Sequence, residues 1–201
     1  MIIYQGVILF LILFISPFNF CSGQYQEYAL VVGGKKVGAL KVYPQDSAKS
    51  VKVFKVESEF KMLFQNGRFS NTSIYSNGKL VQADFVHSLN GNTKERTNTK
   101  YKTSQLYEVR FNDEAGQSKA IQNITEPIHA TLTTLFYKEP KGIRSVYSER
   151  FGQFCAVSKL SLQDYKVQMP DGKQNVYSYR DGRFFEMQTE LAGFRLRIVR
   201  Q

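Results

Sequence analysis

The chain has 201 residues and a formal charge of +10, from 27 Lys and Arg against 17 Asp and Glu, with two His, two Cys and no Trp. That length suits one domain and buries a core without disulfide staples. So few His and Cys argue against a zinc ligand set, and the positive balance suits either solubility or an anionic partner.

Val7 to Ile15 reads VILFLILFI, Pro17 interrupts it, and Cys21-Ser22-Gly23 supplies small residues. An apolar run followed by small residues is the pattern of a secretory signal peptide, and it places a cut between Gly23 and Gln24. Residues 1–23 then form the leader, and 24–201 a single antiparallel β domain. No Lys or Arg precedes Lys35, so an uncleaved N-terminal anchor and lipidation at Cys21 stay open as alternatives. Export to the periplasm or cell envelope argues against nucleic acid as a partner. It favours an anionic envelope surface, with lipid headgroups or glycans, and a lipid or amphiphile as ligand. After the cut Cys155 is the remaining thiol; set between apolar neighbours, it is expected in the core.

Downstream, turn dipeptides punctuate β-type segments: Gly33-Gly34, Asn66-Gly67, Asn77-Gly78, Asn90-Gly91, Asp171-Gly172 and Asp181-Gly182. These pairs adopt positive φ at low cost and favour hairpin turns. Phe54, Val56, Phe60, Met62 and Phe64 share one face of an alternating run whose other face carries Lys55, Glu57, Glu59 and Lys61. Val81, Ala83, Phe85 and Leu89 share a face with His87, which is expected as a hydrogen-bonded core residue. Tyr107, Val109 and Phe111 alternate with Leu106, Glu108 and Arg110, and Phe194, Leu196 and Ile198 with Arg195, Arg197 and Val199. Such strands have one dry and one wet side. Two stretches, Arg68 to Ser76 and Lys94 to Lys102, are polar on both faces, which predicts sheet margins or a wet lining.

One segment breaks the period of two. Ile128, Leu132, Leu135 and Phe136 stand at helical spacing, with Pro127 at the start and Pro140 past the end. This predicts a helix over 127–137. The fold class is mainly β: a long curled antiparallel sheet, a half-barrel or open barrel built as a hairpin meander, with one helix packed on it.

The stretches YALVVGGKKVGALKV, LTTLFYKEPKGIRSVYSERFG and YKVQMPDGKQNVYSYRDGRF resemble a family of exported β-rich proteins of Gram-negative bacteria classed as a domain of unknown function. The opening Gly34-Lys35-Lys36-Val37-Gly38 is similar to that of a second periplasmic family with a curled half-barrel. The layout also resembles periplasmic lipid carriers. These resemblances imply an exported curled sheet, and lipid binding by fold-level analogy alone.

The sequence holds no assembled catalytic set. There is no G-x-S-x-G, no H-x-H or C-x-x-C, and no phosphate-cradling loop, so no metal, cofactor or enzyme activity is expected. Glu139 and Glu149 flank the loop YKEPKGIRSVYSER; they are expected to approach across it, with Arg150 or Arg144 pairing either one. Such a pair is a loop-fixing ion pair or, less economically, a binding site or the centre of a cryptic hydrolase. His129 is expected half exposed on the first helical turn. Tyr137, Tyr147, Tyr177 and Tyr179 combine an apolar body with a polar tip, which suits a ligand-lined hollow as well as sheet packing. His129, Tyr137, Glu139, Tyr147, Glu149, Arg150, Tyr177 and Tyr179 are therefore the candidate ligand-binding residues. The expected function is a non-catalytic binding module for an apolar or amphiphilic ligand, with a structural or adaptor role at an envelope partner as the alternative.

Overall fold

A computed structural model describes residues 25–48, 50–62, 64–103, 106–191 and 193–201. The predicted leader over residues 1–23 lies outside the described residues. The first half of the chain forms β1 (Gln26–Val32), β2 (Lys35–Val42), β3 (Asp46–Ala48), β4 (Val51–Met62), β5 (Gln65–Ser76), β6 (Lys79–Leu89), β7 (Asn92–Tyr101), β8 (Tyr107–Asn112) and β9 (Ser118–Ile124). The second half forms β10 (Ser145–Ser148), β11 (Gln153–Lys159), β12 (Asp164–Gln168), β13 (Gln174–Arg180), β14 (Arg183–Leu191) and β15 (Phe194–Arg200).

These strands make one sheet in the order β10-β11-β12-β13-β14-β15-β1-β2-β4-β5-β6-β7-β8-β9, with β3 beside β4. Two hairpin meanders are joined where the first and last strands pair, Leu30 opposite Ile198. The ladders between named strands are antiparallel, and the sheet is not closed: its margins are β9 and β10. The predicted alternation holds along most strands, with Phe64, past the end of β4, and Phe194, at the start of β15, exposed instead of on a dry face. Tyr28 and Leu30, Leu40 and Val42, Tyr165 and Val167, Tyr177 and Tyr179, and Leu196 and Ile198 all turn to the same buried side. Rings pack edge-on there, Phe136 against Phe184 at 4.9 Å and Tyr28 against Phe184 at 5.0 Å between centroids. Edge-to-face packing suits the ring quadrupoles. Cys155 is buried as expected, and burial pushes its thiol up to about 11, so it is inert as a nucleophile.

Most of the turn dipeptides do what their chemistry predicts. Gly33-Gly34, Asn77-Gly78, Asn90-Gly91 and Asp181-Gly182 have positive φ at both residues, the geometry whose twist matches a tight hairpin. Asn66-Gly67 is the exception and lies inside β5. Gly67 faces Phe60 across the β4–β5 ladder, and a Cβ on it would lie 2.1 Å from the Phe60 ring. The glycine is needed there for close approach, not for a turn.

The predicted helix over 127–137 does not form. One 3-10 turn, Thr133–Phe136, takes its place. Residues 128–131 instead run extended through the inside of the curl, before Leu132 leads into the 3-10 turn. Their backbone is already engaged: Leu80 N–H donates to Ile128 O (3.0 Å), Tyr147 N–H to Ala130 O (2.9 Å), and Leu132 N–H to Tyr147 O (2.9 Å). Thr134 Oγ1 donates to Thr131 O at 2.7 Å, a local bond that competes with helical pairing. The helically spaced residues Ile128, Leu135 and Phe136 are nevertheless buried, so the apolar signal was sound and its period misleading.

Candidate functional site

The inner segment decides where polarity sits inside the curl. β5 and β7, the stretches predicted as margins or a wet lining, lie within the sheet, and their inward polar residues meet β10 and the turn after it. Thr97 Oγ1 donates to Arg150 O at 2.9 Å, Thr99 Oγ1 lies 2.8 Å from Tyr147 Oη, and from β9 Gln122 Nε2 donates to Gly152 O at 3.1 Å. Ser73 Oγ donates to Glu149 Oε1 at 2.9 Å and lies 3.1 Å from Thr131 Oγ1. Since Ser73 has one hydroxyl proton, Thr131 is the donor of that second bond. Thr133 N–H also donates to Glu149 Oε1, at 3.1 Å. A buried polar seam therefore bonds the inner segment to the wall.

Next to this seam the curl is hollow. A cavity of about 240 Å³ has Leu30, Leu132, Leu196, Ile198, Ser148 and Glu149 at its inner end, all but Leu132 of these being buried. Phe60, Phe69, Phe85 and Met169 supply apolar walls, His87 and Asn71 also line it, and Arg150, Phe151, Asp171, Lys173 and Glu190 stand around it. Three buried side-chain oxygens of the seam and wall have no partner: Glu149 Oε2, Asn71 Oδ1 and Thr133 Oγ1. Burial and the nearby Arg150 hold the His87 imidazole below its ordinary range. A second groove of about 490 Å³ runs along β2, β4 and β5, with exposed Glu59, Lys61 and Arg68 among its lining residues. Among the described residues no group of three or more His, Cys, Asp and Glu is placed to hold a metal ion.

Of the candidate residues, Glu149 and Arg150 line the cavity. The others do not. Tyr147, Tyr177 and Tyr179 are core residues, and Tyr179 Oη donates to Leu135 O at 2.8 Å. Tyr137 Oη accepts from Lys55 N–H (2.9 Å) and lies 2.7 and 2.8 Å from the Lys55 and Tyr43 carbonyls, tying the inner segment to β4. His129 is exposed, with Nδ1 3.3 Å from Gly78 O. Glu139 and Glu149 do not share partners, contrary to expectation. Glu139 Oε1 accepts from Tyr165 Oη at 2.7 Å and its Oε2 pairs with Lys141 at 3.3 Å. Arg150 pairs with Glu95 at 3.0 Å instead of either acid. The loop that joins the two acids contains β10, which the inner segment and β11 hold in place; the two acids therefore serve different neighbours.

Cavity residues that the sequence reading did not place among the ligand-binding candidates include Asn71, His87, Phe60, Phe69 and Phe85, with His87 expected in the core. One signal was present: the parity of Phe69, Asn71, Ser73 and Tyr75 puts an amide and a hydroxyl between two aromatic residues on the inward face.

No curated protein matches this sequence. Among solved structures, the chain is similar to the crystal structure of a β-barrel-like protein of domain of unknown function DUF1849 from Brucella abortus. The identity is 11%, over 88% of this chain and 95% of that one, with a TM-score of 0.49. Residues 28–201, which begin within β1 and run to the last residue, match DUF6134, a domain of unknown function, and the chain belongs to that family.

Proposed function

We propose that this protein is a non-catalytic binding module that holds an apolar or amphiphilic ligand in the hollow of its curled sheet. The observation that carries this reading is the 240 Å³ cavity with aromatic and aliphatic walls and a buried carboxylate at its inner end. Binding sites of this kind combine apolar walls with a few placed polar groups. The N-terminal apolar run supports export to the periplasm or envelope, where amphiphiles are the abundant apolar ligands.

Native mass spectrometry of protein purified without detergent from its own envelope tests the proposal. A discrete added mass that extracts into organic solvent is the expected result. A clean unliganded mass counts against the carrier and favours a second reading, an adaptor that pairs through the sheet margin. The observation behind that reading is β9, a marginal strand that is mostly exposed and carries Ile121 at 58% exposure.

A further inference from the structure

Two hydrogen-bond acceptors on residues that line the proposed ligand cavity are unmet. Glu149 is 1% exposed, and both donors that reach it, Ser73 Oγ and Thr133 N–H, go to Oε1. Its Oε2 and the Asn71 Oδ1 are buried without a partner, and both residues line the same cavity. A carboxylate oxygen and an amide oxygen accept hydrogen bonds and donate none. Among the described residues no Lys, Arg or His forms an ion pair with Glu149. The neighbouring Arg150 is engaged by Glu95, and Lys173 lies 3.7 Å from Asp171. His87 on the wall is held below its ordinary range by burial and by Arg150, so at neutral pH it adds no positive charge. A buried carboxylate with no cation and a buried acceptor with no donor are each costly. One ligand group offers both what is missing.

We infer that the cavity takes an amphiphile with an apolar tail and a cationic, hydrogen-bond-donating head, an alkylammonium by class, whose head meets Glu149 Oε2 and Asn71 Oδ1. This rests on the binding-module reading and names the chemistry of its ligand. A volume of about 240 Å³ has room for roughly eight water-sized groups, so the enclosed part of the ligand is a single short chain with its head.

Isothermal titration of the full chain at neutral pH with n-octylammonium, 1-octanol and octanoate separates the head groups at constant tail. Octylammonium is expected to bind about tenfold or more tighter than the other two. Glu149→Gln should bring the three probes to within about threefold of each other. Asn71→Ala, which leaves the Ser73–Glu149 bond in place, should weaken octylammonium and spare octanol. Octanol or octanoate binding as tightly as the ammonium to the unaltered protein overturns the head-group inference and leaves the binding module standing. Retention of the ammonium preference in Glu149→Gln overturns it as well. Absence of binding by all three probes sinks the binding module and this inference together.

Discussion

At the scale of single residues, the inside of this molecule carries a polar seam beside its apolar core, and most of the seam's polar groups are matched to one another. Thr99 and Tyr147 are both fully buried and lie 2.8 Å apart through their hydroxyls. Thr99→Val keeps the shape and strands the Tyr147 hydroxyl, which should lower stability by about 1–3 kcal/mol in urea unfolding. Thr99→Val combined with Tyr147→Phe removes both partners and should cost less than the sum of the two single changes. A Thr99→Val variant as stable as the parent would show that the seam contributes nothing. Thr97, Thr99 and Ser73 could be read from the sequence only as polar residues at inward positions. Their partners on β10, the turn after it and the inner segment lie far along the chain, so no local pattern could announce them.

At the scale of elements, two glycines set how closely β4 is approached by its neighbours. A Cβ on Gly38 would fall 2.1 Å from the Glu59 carbonyl oxygen, a backbone atom that cannot yield without moving β4. Gly38→Ala should therefore destabilise by about 1–3 kcal/mol or more through overpacking. Gly67→Ala meets the Phe60 side chain instead, which can swing aside. Its cost should be smaller, and because Phe60 is a wall of the cavity, its clearer effect should be altered ligand affinity. Equal destabilisation by the two variants in thermal melts would contradict this ranking. Strand existence, face and most turns were legible because a period of two and a positive-φ dipeptide are local signals. The failed helix over 127–137 and the misplaced turn at Asn66-Gly67 share one cause: tertiary partners claimed the backbone of the first and the Cβ space of the second.

At the scale of the whole molecule, the buried tyrosines should give the protein a sharp alkaline limit. Burial pushes Tyr28 and Tyr137 up to about 12 and drives Tyr75, Tyr147, Tyr177 and Tyr179 upward as well. The unfolded chain releases the same protons near pH 10. Above that point the unfolded state binds fewer protons than the folded one, so stability falls as pH rises. Unfolding free energy should be level with respect to these groups below about pH 10 and drop toward pH 12. Phenolate absorbance of the native protein should show a delayed group of tyrosines, and a single titration of all tyrosines near pH 10 would refute it. The sequence by itself determined the β class, the hairpin rhythm and the burial of the apolar stripe at Ile128, Leu135 and Phe136, because alternation, turn chemistry and hydrophobicity act over a few residues. Only the tertiary structure decided that this stripe is extended at Ile128 and folded into a 3-10 turn at Leu135 and Phe136, that Glu139 and Glu149 serve different partners, and that Glu149 and Asn71 line one cavity. Those outcomes depend on which distant backbone groups find each other when β1 meets β15 and the sheet curls, and nothing within a local window of the chain encodes that meeting.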